Sequence, residues 1–213
     1  WALWGGHGAA LSEGLGVLTT DRWTWRFQEG GLLPAPPRNP VYPVEDCVAL
    51  LSGGLDSLVG VIDLAAARRK PFVVSQTVRG DADKQVEFAN RIGGGLNHLQ
   101  LNHNAHSPGV QEPSQRARSL VFIAFGVAAA TSLQRHHQGH SVPLYVCENG
   151  FIAINPPLTG GRLGSLSTRT AHPEYLTRLQ HILNAADLRV GIENPYAANT
   201  KGEMLQGCAD QDL

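Results

Sequence analysis

The sequence predicts an α/β chain built on a doubly wound parallel sheet, with a small β appendage at its N-terminus. Three observations predict it. From Val41 onward, short apolar runs alternate with helical stretches, the order of a parallel sheet covered on both faces. A Ser-Gly-Gly turn, residues 52–54, sits between one such run and the helix after it. A proline-rich stretch, residues 33–40, sets the appendage at 1–40 apart from the remainder at 41–213.

Residues 1–40 hold all four tryptophans, Trp1, Trp4, Trp23 and Trp25. Trp23-Thr24-Trp25-Arg26-Phe27 alternates like a strand with one apolar face, which is why a β element is expected. Gly5-Gly6-His7-Gly8 follows no buried strand and reads as a plain turn. Cys47-Val48-Ala49-Leu50-Leu51 reads as a buried parallel strand. Residues 58–69 read as a helix with Arg68 and Arg69 in its last turn. A second strand spans 71–78, a helix spans 83–92 and stops at Gly93-Gly94-Gly95, and a third strand spans 96–101. Residues 114–130 form a long helix rich in small residues, with Arg116 and Arg118 at its entry. Arginine there opposes the helix dipole, so an anionic ligand is expected. A fourth strand spans 142–147, and a long loop, 151–170, is expected to wall a pocket. A helix opens at Pro173 and runs to about Ala186, and a fifth strand spans 188–196. Thr200 caps a last helix, with Glu203 completing a capping box. Lys201, first in that helix, again opposes the dipole and asks for an anion.

The chemistry gathers at Ser52-Gly53-Gly54-Leu55-Asp56-Ser57. Two glycines let the backbone curl and approach a ligand closely. Amides of the turn and of the first helical turn then converge as an anion site. Ser52 and Ser57 add hydroxyl donors. Asp56 would repel an anion, so either a divalent cation bridges the two or Asp56 holds the loop through backbone amides. Ligands of such sheets sit beyond the carboxyl ends of the strands, which groups this loop with residues 78–81 and the loop after Leu101. Glu148 and Asn149 end the fourth strand, placed either to bond a planar, donor-rich base or to cap the loop and make a turn. His172 lies where loop meets helix beside the expected pocket. The loose spacings of His98, His103 and His106, and of His136, His137 and His140, read as surface histidines.

A formal net charge of −1 argues against a dedicated nucleic-acid binder. Cys47, Cys147 and Cys208 lie far apart and make neither C-x-x-C nor a disulfide framework, which suits a reducing cytoplasm. Cys147 reads as a small buried strand residue. No apolar run reaches membrane-spanning length and no signal peptide is recognisable. The chain begins at Trp1 rather than methionine and ends at Asp212-Leu213 without a closing element, so a piece of a longer protein is expected.

Residues 52–57 resemble the PP-loop of the N-type ATP pyrophosphatases, which cleave ATP between the α and β phosphates and pass AMP to a substrate oxygen. No Gly-Lys-Ser/Thr follows, so the loop is not a Walker A motif. Further resemblance lies in Arg116 to Phe122, in Glu148-Asn149-Gly150 with residues 166–173, and in Asn194-Pro195 with Thr200-Lys201-Gly202-Glu203. Together these stretches resemble the 7-cyano-7-deazaguanine synthases, and among them the synthase-like proteins found beside bacterial anti-phage genes. The resemblance implies an adenine-nucleotide α-hydrolase-like (HUP-type) sheet and the use of ATP and Mg²⁺. It implies that Ser52, Gly53, Gly54, Leu55, Asp56 and Ser57 grip the pyrophosphate, with Asp56 binding or positioning Mg²⁺. Ser75 to Arg79 would meet the adenine, and Arg118 and Lys201 the phosphates or the substrate carboxylate. Glu148 and Asn149 would read a 7-deazaguanine, with Arg169 and His172 nearby. The nucleophile would be ammonia or an amine of a partner protein, in the cytoplasm, from a homodimer, with no direct nucleic-acid contact. His172-Pro173-Glu174 replaces the housekeeping enzyme's Tyr-Pro-Asp-Cys-Arg-like run, which leaves the acceptor open. The family also carries a C-terminal four-cysteine zinc site whose motif these residues lack. Two other readings stand beside this one: a nucleotide-binding component of a defence complex that has lost turnover, and another PP-loop enzyme such as a tRNA-modifying one.

Overall fold

The computed structural model describes residues 2–31, 35–77, 80–103, 109, 118–154 and 169–212. Strand β1 (Cys47–Leu50) lies at the centre of a five-stranded, all-parallel sheet. β2 (Pro71–Gln76) and β3 (His98–Leu101) extend it on one side, β4 (Val142–Tyr145) and β5 (Val190–Glu193) on the other, giving the order β3-β2-β1-β4-β5. Val48 pairs with Phe72 of β2 and with Leu144 of β4. The chain thus travels outward from β1, returns, and travels outward the other way. The reversal falls between β1 and β4, where a crevice opens at the carboxyl ends of the strands. This is the doubly wound α/β sheet the alternating pattern predicts.

Period-two alternation splits β1 between two cores. Val48 and Leu50 face one core, together with Ile123, Leu133, Tyr175 and Leu183. Cys47, Ala49 and Leu51 face the other, with Val61, Ile62, Ala89 and Ile92. Helices α3 (Leu55–Ala66) and α4 (Ala82–Arg91) cover the second face. The first is covered by α2 (Gly8–Thr19), α5 (Arg118–Ser132) and α8 (Pro173–Ala185). The described residues also form short helices α1 (Ala2–Gly5), α6 (Gln134–His137), α7 (Gly150–Ile154) and α9 (Lys201–Gly207). No helix among the described residues is long and apolar enough to cross a membrane.

Three expectations are corrected. The N-terminal segment is helical, not a β element. Leu15 and Leu18 of α2 are buried in the first core, and Arg178 of α8 holds Glu13 at 2.7 Å. Residues 23–27 do alternate, but the pattern makes an aromatic stack over the start of α2 rather than a ladder. Trp23 stacks on Trp25 at 5.9 Å and Trp25 on Phe27 at 6.2 Å, and Ser12 Oγ donates to Trp23 O at 3.0 Å. Second, the helix expected at 58–69 begins at Leu55 and ends at Ala66. Gly54 is extended (ψ 161°) as its N-cap, and Arg68 and Arg69 lie beyond it, with Arg69 bound to Asp46 at 2.6 Å. Third, the expected loop at 151–170 opens as helix α7 and closes in a 3₁₀ turn, Arg169–Ala171. Its middle, with Asn155, Arg162, Ser167 and Thr168, lies outside the described residues, as do Val78, Arg79, His106 and Arg116.

Candidate functional site

Residues 52–57 leave β1 at the reversal point and become the first turn of α3. Gly53 turns at φ +89°, where a side chain would be strained. The N–H groups of Leu55, Asp56 and Ser57 open the helix and have no carbonyl one turn back to receive them. The hydroxyls close the loop on itself. Ser57 Oγ donates to Gly54 O at 2.9 Å and accepts from Ser52 N at 3.1 Å. Its single proton is thus committed, so the 2.9 Å contact between the two hydroxyls is donated by Ser52. Gly54 N returns to Ser52 Oγ at 3.2 Å. The two serines expected as ligand donors therefore shape the loop.

Asp56 is buried at 6% exposure. Its Oδ2 accepts from Asn149 N at 3.2 Å and Asn149 Nδ2 at 2.5 Å, which clamps the start of α3 to the exit of β4. Lys201 Nζ stands 3.0 Å from Oδ1 as an ion pair. The approach is not that of a hydrogen bond, and Oδ1 receives none. The anion that Lys201 asks for at the start of α9 is thus Asp56.

A cleft of about 300 Å³ fronts the loop, lined by Ser52, Gln76, Arg118, Ser119, Phe122, Glu148 and Thr170. A recess of about 40 Å³ shares five of these residues and adds Ser57 and Cys147. Burial pushes the Glu148 carboxyl up to about 7, the nearby Asp56 charge adds to this, and Lys201 partly offsets it. Asn194 fixes the Glu148 backbone, accepting from its N–H at 3.3 Å and donating to its carbonyl at 2.9 Å.

The remaining expected residues go elsewhere. Ser75 is fully buried within the sheet, donating to Leu51 O at 2.6 Å and meeting His98 Nε2 at 2.8 Å. Asn149 spends its side chain on Asp56 and on the Ile152 N–H at 3.1 Å, so it props the site instead of reading a base. Arg169 reaches away to donate to Val17 O at 3.0 Å. His172 is the N-cap of α8, its Nδ1 accepting from Glu174 N at 3.2 Å. It also lines a separate, mainly apolar pocket of about 620 Å³ with Phe151, Ile154 and Ala197. Cys147 is 3% exposed and burial pushes its thiol up to about 12, which disfavours the thiolate a catalytic cysteine needs.

Sequence reasoning missed the glutamine network behind the loop. Gln85 is fully buried and its Nε2 donates to Ser52 O at 3.0 Å and Gln76 O at 3.2 Å. Gln100 Nε2 donates to Gln85 Oε1 at 3.0 Å and to Ala82 O at 2.8 Å. The available signal was Gln85 itself, a polar residue on the same helical stripe as Ala89 and Ile92.

No group of three or more His, Cys, Asp or Glu among the described residues is placed to hold a metal. A buried carboxylate oxygen without a hydrogen bond, Asp56 Oδ1, within the field of a second carboxylate, Glu148, does fit the oxygen preference of a hard divalent cation. Comparison with protein-family models, with curated proteins and with solved structures gave no match in any of the three.

Proposed function

We propose that the chain is an ATP-dependent carbon–nitrogen ligase that adenylates the carboxylate of a 7-deazaguanine, in the manner of the synthases its motifs resemble. One observation carries the reading. The glycine-rich 52–57 loop opens helix α3 at the reversal point of the sheet, and Arg118 and Glu148 line the cleft in front of it.

In this reading a carboxylate oxygen of the substrate attacks the α-phosphorus of ATP, and the bond to the β-phosphate oxygen breaks. The amides of Leu55, Asp56 and Ser57 and the α3 dipole receive the charge that grows on the departing pyrophosphate. Arg118 meets the α-phosphate or the carboxylate with its fork of donors. Glu148 faces the N–H groups of the base. Ammonia, or an amine of a partner protein, then attacks the acyl carbon and AMP leaves. Mg²⁺, which Asp56 would hold, would neutralise phosphate charge. The setting is bacterial anti-phage defence in the cytoplasm.

The test incubates the protein with ATP, Mg²⁺ and 7-carboxy-7-deazaguanine, with and without ammonia, read by mass spectrometry. AMP, pyrophosphate and an amide are expected, or a nitrile where a second ATP activates the amide oxygen for loss of water. AMP without a small-molecule product directs the search to a protein acceptor. A second reading, a nucleotide-binding component without turnover, is favoured by the mutually bonded Ser52 and Ser57 hydroxyls, and absence of AMP under every condition would select it. Asp56→Asn and Lys201→Ala are each expected to abolish AMP formation, and full turnover in either removes that residue from the mechanism.

A further inference from the structure

We propose that Lys201 is a resident cation, standing on Asp56 Oδ1 where a divalent cation binds, so that the two compete for one carboxylate oxygen. The choice of cation rests on the ligase reading; the competition rests on the geometry. Asp56 is anchored, because both donors of Asn149 hold its Oδ2. Oδ1 is sealed from water and receives no hydrogen bond, so its charge is met by Lys201 Nζ at 3.0 Å. The lysine is the movable partner. Its side chain is 51% exposed against 7% for Asp56. The start of α9 is secured without it, by the reciprocal bonds of Thr200 and Glu203.

A fixed carboxylate with a mobile counter-charge is an exchange site. When Lys201 swings out, Oδ1 loses its counter-charge, and the nearby Glu148 carboxyl adds to the negative field there. A hard divalent cation with oxygen preference fits Asp56 Oδ1. The released ammonium then offers its charge to an anionic ligand in the cleft. Without a ligand, Lys201 keeps the buried carboxylate neutralised and the divalent affinity low.

The test measures Mn²⁺ binding to the whole chain without nucleotide, by loss of the aqueous Mn²⁺ electron paramagnetic resonance signal. Lys201→Met and Lys201→Gln are each expected to bind Mn²⁺ at least about tenfold more tightly than the unaltered chain, because a competing unit charge is gone. Lys201→Arg keeps the competitor and is expected to stay weak. Adding Asp56→Asn to Lys201→Met is expected to erase the gain, and adding Glu148→Gln to reduce it. Equal Mn²⁺ affinity in Lys201→Met, Lys201→Gln and the unaltered chain overturns the proposal. So does a gain that survives both Asp56→Asn and Glu148→Gln. Thermal unfolding of each variant establishes that it is folded. The titration contains no ATP, so a protein that shows the gain yet forms no AMP supports the exchange and overturns the ligase reading instead.

Discussion

Glu148 binds its proton near neutrality in the folded chain, at about 7 against an ordinary value of 4.5. Burial is the main cause and the Asp56 charge the second. The folded state therefore holds more protons than the unfolded one between those two values, so stability falls as pH rises through that window. Glu148→Gln is expected to flatten this decline, seen as a smaller drop in melting temperature from acid to mildly alkaline buffer. Lys201→Met is expected to push the decline to higher pH, since Lys201 is what favours the ionised form. Asp56→Ala leaves two buried donors of Asn149 without an acceptor, and a loss of about 2–4 kcal/mol in urea denaturation is expected. At this scale the loop was legible, because turn, glycines and acid are consecutive in the chain. Asn149, Gln85 and Asn194 were not legible in their roles, because their partners lie far along the sequence and only the folded sheet brings them together.

Among the described glycines, Gly150, where α7 begins, has the least room for a side chain. A Cβ on Gly150 would lie 2.1 Å from Ala197 O, a backbone atom, and Gly150 N already donates to Asn199 O at 2.8 Å. Gly150→Ala must therefore drive α7 away from the segment that leads into α9. A loss of about 1–3 kcal/mol is expected in denaturant unfolding, and with it a displaced Lys201. Gln85→Leu keeps the volume but leaves Ser52 O and Gln76 O without their donor, and about 1–3 kcal/mol is expected by the same measurement. The five strands and helices α3, α4, α5, α8 and α9 were readable because each is a run of one period, some with their own stop signals such as the Thr200–Glu203 box, whereas α7 was expected as loop. Residues 23–27 misled because alternation reports that one face is covered, not that another strand covers it.

The N-terminal segment belongs to the same core as the sheet. Leu18 is fully buried among residues of α5, α8 and the strands. Leu18→Ala is expected to destabilise the whole chain by about 2–5 kcal/mol. Far-ultraviolet circular dichroism and tryptophan emission should then still lose signal in one shared transition, and two separated transitions would show an N-terminal segment that melts by itself. The doubly wound parallel class was legible from the alternating pattern, and the order of the strands was not. The long-range packing of α2 on α8 was not, since neither helix carries a local sign of its partner.

All four tryptophans precede residue 26. Trp4, Trp23 and Trp25 pack against the core on the α2 side, and none of them lines the cleft before the 52–57 loop. Among the described residues, the tryptophans thus form a built-in optical label on the α2 side. Emission from Trp23 therefore follows the docking of the aromatic stack onto α2, where Trp23 Nε1 donates to Thr19 Oγ1 at 3.0 Å.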